Sequence, residues 1–417
     1  MAQGLPESWL QSCARAAVLR ALRRIKHGRL ALKLAYRDGG DVVVIPQAGA
    51  GAGAGAGSTP GATVTVTVHH PNAWVRICQA LNLLWIANRE TLQPPTGLAM
   101  QRLTTALQLV FRPANDAGRA RLNAAFHYDA SNTLFSSFLS ADMNYSCGLW
   151  SGHAHETLES AQLSKVAAVL HKARVAPDHH VLDIGCGWGH LAIEAAQRTG
   201  CRVTGVTLSR QQKQLAEKRV RQAGLEDRVQ ILLCDYREIP RPEGGYDSVV
   251  SVEMLEHVGE AFLPRFFASI RDLLKADGVM VIQGTTVLDP ILHGRRAEET
   301  FITRYVFPGG HLPSLGELVT AISEGSQGAL EMLDAQGVGG HYVKTLQCWR
   351  QNFLRNWDAI REDYLSSHEG ATEASVEAFR RKWVYYFAYC EQGFRSRIIG
   401  DYVISAAKIA QEPSLGG

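Results

Sequence analysis

The run Val181-Leu-Asp-Ile-Gly-Cys-Gly-Trp-Gly189 constrains this chain more than any other stretch. It reads as a buried strand that breaks into a glycine turn and feeds straight into a helix over 190–198. Apolar residues point the strand into a sheet, and glycines at spacing two let the backbone bend and approach a ligand closely. Such a turn is a common nucleotide-binding device, because the helix that follows presents unpaired N–H groups. A glycine-rich turn without a ligand is the alternative.

Spacing separates the nucleotides. A nicotinamide site needs G-x-G-x-x-G and a carboxylate at the end of the next strand. Here the pattern is G-x-G-x-G, followed by His190, and the next strand ends in Thr207, Leu208 and Ser209. Asp183 at the strand tip would repel a pyrophosphate, whereas it suits a ligand carrying cationic groups. The amino and sulfonium groups of S-adenosylmethionine are such groups, and the turn is read as a methyl-donor site.

Strand-like runs at 180–184, 201–208, 229–234, 246–252 and 279–285 alternate with helical runs at 190–198, 210–223 and 262–275. That alternation predicts an α/β fold, a Rossmann-like class I methyltransferase sheet with ligands at the strand carboxyl ends. After Thr286 it stops. An aromatic-rich insert, about 287–395, precedes a last strand-like run at Asp401–Ser405 and is expected to cap the site; such a cap needs its own core or a partner surface, which admits a homodimer. Gln93-Pro-Pro-Thr-Gly97 breaks the chain and divides a small N-terminal α+β domain, 1–95, from a methyltransferase domain, 96–417. Within the first, alternating Ala and Gly over 48–57 open a flexible insert reaching 61. It lies between strand-like runs Asp41–Ile45 and Ala62–Val68 and is expected to decorate a hairpin tip.

A net charge of +3 is too small to argue for nucleic acid, and 46% apolar with 20% charged residues is ordinary for a globular protein. Charge is uneven, however: eight Lys or Arg residues from Arg15 to Arg37 meet no acidic residue. Val18, Leu19, Leu22 and Ile25 give this segment helical spacing, so it reads as an amphipathic basic helix for an anionic membrane surface. A solvated first helix and a transit peptide share that chemistry. With no run of some 18 apolar residues, no transmembrane segment is expected. Eight cysteines show no C-x-x-C spacing, which argues for a reducing compartment and against a metal or disulfide framework. A cytoplasmic protein, peripheral on a membrane, is expected, with organellar targeting open.

Several strings together carry a resemblance. They are Ala125-Phe-His-Tyr-Asp-Ala-Ser-Asn-Thr-Leu-Phe135, Asn144-Tyr-Ser-Cys147, the glycine turn, Gly205-Val-Thr-Leu-Ser209 and Ser251-Val-Glu-Met-Leu-Glu-His-Val258. Thr303-Arg-Tyr-Val-Phe-Pro-Gly-Gly310, Leu312-Pro-Ser314 and Tyr385-Tyr-Phe-Ala-Tyr-Cys-Glu-Gln-Gly-Phe394 complete them. Over roughly 100–405 the chain resembles the cyclopropane-fatty-acyl-phospholipid synthase family. The resemblance implies that a cis double bond of an unsaturated phospholipid attacks the donor methyl, and that a base then removes a proton from that methyl so that a ring closes. In the family the base is bicarbonate, whose holders here would be Cys147 through its backbone, Glu256, Gln283, Thr285 and Tyr342. Gln283 is a departure: bacterial members usually carry His there and plant-like members Gln, an amide that orients an anion without titrating. Cys390 aligns with a candidate active-site cysteine, although its aromatic neighbours suit a buried structural thiol.

For the donor, the family pattern maps onto Tyr145 and Ser146 near the methionine end, with Asp183, Gly185, Gly187 and Gly189 at the turn. Thr207, Leu208 and Gln212 would face the ribose, and Asp235, Tyr236 and Arg237 would flank adenine, although Asp235 could equally cap the next helix. The family's N-terminal Gly/Ala/Tyr-rich stretch has no counterpart, since 78–89 runs across its place. Methyl- or methylene-branched products, amine N-methylation and a catalytically silent membrane-surface protein that binds lipid or donor are the alternatives.

Overall fold

A computed structural model describes residues 132–295 and 300–409, together with three strands nearer the N-terminus. Two compact units divide the chain, Met1–Phe111 and Arg112–Gly417. In the first, β1 (Arg29–Leu34) pairs antiparallel with β2 (Val42–Ile45) and parallel with β3 (Thr63–Val68). The runs flanking the Ala/Gly insert are therefore not partners in a hairpin; β1 lies between them. Arg29-Leu-Ala-Leu-Lys-Leu34 is thus a strand and not part of the basic helix: it alternates apolar and other residues with period two, which a strand satisfies better. The rest of the basic segment, the Ala/Gly insert and 78–89 lie outside the described residues.

The second unit is built on a seven-stranded sheet of order β6-β5-β4-β7-β8-β10-β9. Its strands are β4 (His180–Ile184), β5 (Arg202–Thr207), β6 (Val229–Leu233), β7 (Tyr246–Val252), β8 (Leu274–Val287), β9 (Leu330–Gly337) and β10 (Ile399–Lys408). The first five in sheet order run parallel, and β10 is antiparallel to both its neighbours. Central strands covered on both faces must be apolar throughout. Val181, Leu182, Val249, Val250, Val281 and Ile282 accordingly have no accessible surface.

Helices α1 (Asn132–Phe138) and α2 (Leu158–Lys172) precede the sheet. Then α3 (His190–Thr199), α4 (Arg210–Gln222) and α5 (Leu263–Leu273) connect its strands. Ser209 caps α4 by accepting from the Gln212 N–H at 3.2 Å, and Pro264 occupies the first turn of α5 where no N–H is needed. These local signals fix where each helix begins, and so where each strand's carboxyl end opens.

The segment after β8 corrects one expectation. Not all of 287–395 is cap: α8 (Leu315–Ser326) and β9 belong to the sheet layer, with β9 its outermost strand. A strand reading Leu-Glu-Met-Leu-Asp-Ala-Gln-Gly, most of it exposed, carries no buried-strand pattern. The cap proper comprises α6 (Asp289–Arg295), α7 (Phe301–Tyr305), α9 (Gly339–Arg355), α10 (Trp357–Ser367) and α11 (Glu373–Arg395). It has its own core, in which Phe135 and Phe138 of α1 meet Trp349, Phe353, Trp383 and Phe387. Edge-to-face contacts such as Phe138 with Phe387, centroids 5.2 Å apart, fix this cluster's geometry as well as burying area.

Candidate active site

The turn after β4 begins at Gly185, φ +85°, where a Cβ would lie 2.8 Å from Met254 Cγ. Glycine is required there for conformation and space together. At Gly187, φ +54°, a Cβ would meet nothing within 4 Å, so the backbone faces open volume. Gly189 stands at the N-cap of α3, a step off the pocket wall. The pocket so formed at the strand carboxyl ends gathers Tyr145, Ser146, Asp183, Gly185 and Gly187. Thr207, Leu208, Gln212, Asp235, Tyr236 and Arg237 complete its wall.

Asp183 lies mid-sheet, opposite Gly205 of β5 and Val250 of β7, and is 2% exposed. Its Oδ2 has no hydrogen-bond partner, and burial pushes its carboxyl up to about 7 against the opposing pull of Lys165. Lys165, one residue the sequence reading missed, is buried on α2 and donates to Asn144 Oδ1 at 2.9 Å and Ser146 Oγ at 3.0 Å. Burial draws its ammonium down while Asp142, Glu253 and Asp183 draw it up. An ammonium within a helix full of Ala, Val and Leu gives no periodic signal, so only the fold shows that it enters the site.

At the carboxyl end of β5, the Thr207 hydroxyl donates to Gln212 Oε1 at 2.7 Å and orients the amide. Asp235 caps the short turn Tyr236–Glu238 and accepts both Nε (2.6 Å) and Nη2 (2.8 Å) of Arg237. Arg237 in turn covers the Tyr236 ring at 4.9 Å. Asp235 is thus the cap that the sequence offered as the alternative, and it also lines the pocket. A buried carboxyl group with one unpartnered oxygen, an open glycine backbone and hydroxyl and amide groups in place of a ribose carboxylate fit a cationic nucleoside donor such as S-adenosylmethionine.

Beside the pocket lies a second, acidic centre. Glu253, at the end of β7, lines the pocket and is the principal residue that sequence reasoning passed over. Its Oε1 accepts from the Cys147 N–H at 2.7 Å and from Gln283 Nε2 at 3.1 Å, and its Oε2 accepts from the Tyr342 hydroxyl. Gln283 Nε2 donates its other hydrogen to Asp401 Oδ2 at 2.8 Å. Glu256, on the turn Leu255–His257, accepts from the Thr285 N–H at 2.6 Å through Oε1, while its buried Oε2 has no partner. Burial first, then the charges of Asp401 and Glu256, hold Glu253 well above the usual carboxylate range, against its bonds from Tyr342 and Cys147. Glu256 is raised mainly by burial, and Asp401 likewise.

The structure therefore brings Cys147, Glu256, Gln283, Thr285 and Tyr342 together, but it does not leave them facing an open anion site. Cys147, Gln283 and Tyr342 donate to Glu253, and Thr285 donates to Glu256. Bicarbonate does not fit this arrangement. Cys390 stands apart on α11: burial alone pushes its thiol up to about 12, no cation opposes that, and it is not poised as a nucleophile. The signal for Glu253 was present as Glu-x-x-Glu in 253–256, two carboxylates one turn apart after a strand.

Fold and site define a class I S-adenosylmethionine-dependent methyltransferase. The sequence profile of the mycolic acid cyclopropane synthetase family matches residues 116–403, and the chain belongs to that family. It is 40% identical over 301 residues to the tuberculostearic acid methyltransferase of Mycobacterium tuberculosis, covering 70% of this chain and 67% of that protein. To the cyclopropane-fatty-acyl-phospholipid synthase of Escherichia coli K12 it is 36% identical over 283 residues, 67% of this chain and 66% of that protein. The crystal structure of the mycolic acid cyclopropane synthase CmaA1 complexed with SAH and CTAB matches 69% of this chain and 98% of its own. That match has a TM-score of 0.60 and 28% identity. The activity of this family is methylation or cyclopropanation of lipid acyl chains from S-adenosylmethionine.

Proposed function

We propose that this protein transfers the methyl group of S-adenosylmethionine to the cis double bond of an unsaturated phospholipid acyl chain, giving a cyclopropane. The observation that carries the reading is a donor pocket whose wall includes Glu253 of the carboxylate cluster and, through Tyr145 and Trp188, adjoins the aromatic core of the cap. When bound, the donor supplies an electrophilic methyl, and an alkene that takes it becomes a carbocation. A negative group at the pocket wall stabilises such a cation more in a dry site than in water. Asp183 and the Tyr145–Ser146 segment would hold the methionine end, Gln212 the ribose, and Tyr236 with Arg237 the adenine.

Phospholipid as acceptor is supported by the name of the Escherichia coli relative. Methyl or methylene branching is the second product reading, favoured by the name of the more similar mycobacterial relative. Among the described residues no helix is long and apolar enough to cross a membrane. A phospholipid acceptor would be met at the membrane surface. The test is transfer of isotope-labelled methyl to vesicles of cis-unsaturated phospholipid, with mass spectrometry of the released chains. Label in a ring-containing saturated chain supports the reading, and label in a branched or unsaturated chain changes only the product. No label in lipid with donor binding intact sinks it and turns attention to amine acceptors.

A further inference from the structure

The donors that could hold an external base are already engaged, and what engages them is part of the chain. Cys147 N–H, Gln283 Nε2 and Tyr342 OH converge on one carboxylate, that of Glu253. Building on the methyl-transfer reading above, we propose that the Glu253 carboxylate is the cation-stabilising anion and the proton acceptor of this enzyme, in place of any bound bicarbonate.

Three further observations bear on it. Position comes first: Glu253 lines the donor pocket, while Glu256, Gln283 and Thr285 stand behind it, off the pocket wall. Backbone comes second. Glu253 holds φ +51°, a left-handed conformation costing a non-glycine residue on the order of 1 kcal/mol or more. Its N–H is pinned to the Gln283 carbonyl at 2.8 Å, so the strain is held in place at the end of β7. Glycine would adopt that conformation freely, yet the residue carries a carboxylate aimed at the donor set.

Chemistry comes third. Gln283 divides the two hydrogens of one nitrogen between Glu253 and Asp401. An amide does this without titrating, which leaves carboxylates as the proton acceptors of the cluster. Glu253 is flanked by Asp401 of β10, by Glu256 of the turn after β7, by Tyr342 of α9 and, at longer range, by Lys165 of α2. Burial first, and then the two neighbouring carboxyl groups, keep its affinity for a proton high, so it is a stronger base than an ordinary carboxylate. A cation forming at the pocket wall favours its ionised form.

The step balances. The alkene π pair forms the new C–C bond to the methyl, and the C–S pair leaves on sulfur. One methyl proton then passes to a Glu253 oxygen, and the C–H pair left behind closes the three-membered ring. After a hydride shift from the methylated carbon to the neighbouring cationic carbon, the same proton loss gives a methylene branch on an open chain instead.

Two arms test the proposal with the full-length protein. In the first, turnover on dioleoyl phosphatidylglycerol vesicles is measured in carbonate-free buffer and with added bicarbonate. Wild-type turnover is expected to stay within about twofold, whereas Glu253→Gly falls about 100-fold without bicarbonate and recovers at least about tenfold with it. Glu253→Gln, near-isosteric, is expected to fall similarly and not recover. The second arm needs no lipid: binding of carbon-13 bicarbonate is followed by NMR, with retained SAH binding as the check that each variant is folded. Wild type is expected to bind no bicarbonate, and Glu253→Gly to bind it. Bicarbonate bound by wild type, bicarbonate-dependent wild-type turnover, or full activity of Glu253→Gln overturns the proposal. Because the binding arm reads Glu253 without an acceptor, failure of the lipid reading shows in the first arm alone.

Discussion

Asp183 makes donor affinity depend on pH in a way that can be worked out in advance. Burial raises its carboxyl to about 7, and Lys165 is the charge that opposes the rise. In the free protein, then, about a tenth of Asp183 is ionised at pH 6 and about nine tenths at pH 8. If only the ionised form pairs with a cationic group of the ligand, affinity rises about tenfold across that interval. SAH keeps the amino group and lacks the sulfonium charge, so it reads Asp183 with little contribution from the Glu253 cluster. Titration calorimetry of SAH in two buffers of different ionisation enthalpy gives affinity and protons released together. Wild type is expected to bind about tenfold more tightly at pH 8 than at pH 6 and to release most of one proton per site at pH 6. Asp183→Asn should lose the slope and bind at pH 8 about tenfold or more weakly than wild type. A variant that keeps the slope would remove Asp183 from ligand binding. Stability moves oppositely. A carboxyl whose folded value is raised holds its proton more tightly than the unfolded chain does, so its contribution is present below about 4 and lost as pH rises toward 7.

Other residues make sharper tests of individual assignments. Glu256→Gln keeps an acceptor for the Thr285 N–H, so donor affinity should be unchanged in calorimetry; turnover should fall about tenfold, less than in Glu253→Gln, and an equal or larger loss would make Glu256 the nearer base. Cys390→Ala should keep turnover within about twofold, and the wild-type thiol should resist iodoacetamide at pH 7.5, as a group at about 12 must; inactivation by either treatment would restore Cys390 to the chemistry. Gly325 of α8 lies so close to α5 that a Cβ would sit 2.1 Å from the Pro264 carbonyl oxygen, so Gly325→Ala should lower the denaturant midpoint by an amount equal to roughly 3 kcal/mol, and an unshifted midpoint would separate α8 from the sheet layer. Tyr386→Phe removes the hydroxyl 2.9 Å from the Tyr145 hydroxyl; stability should change by about 1 kcal/mol while the KM for the donor rises, and a kcat change alone would place the pair nearer the acceptor.

What could be read from the sequence follows from how locally each feature is encoded. The central strands were legible because strands buried on both faces are apolar at successive positions, as at Val249 and Val250 of β7. The glycine turn was legible because its conformation demands glycine within a few residues. At the edge of the sheet neither condition holds. The β9 strand pairs on one side only, carries Glu331 and Asp334, and looks like a loop until α8 is seen packing beside it. Likewise the alternating residues 29–34 satisfy a strand, while the arginines and lysines around them obscured it.

The acidic centre lies at the other extreme, because its meaning depends on three-dimensional register. Asp401 faces Thr285 across the β10–β8 ladder, and Gln283 faces Val252 across β8–β7, next to Glu253 in the chain. Those pairings carry three carboxylates and one amide to a single point from distant segments of the chain. In the chain, Glu253 and Glu256 differ only by one turn, and either could hold the proton. In the fold they diverge: one reaches the pocket wall with three donors on it, and the other accepts the Thr285 N–H behind it. A resemblance transfers a set of donors, but it does not transfer what those donors hold. Here the strained backbone of Glu253 brings a carboxylate of the chain itself to that place, and the choice of base follows from this geometry rather than from the motif.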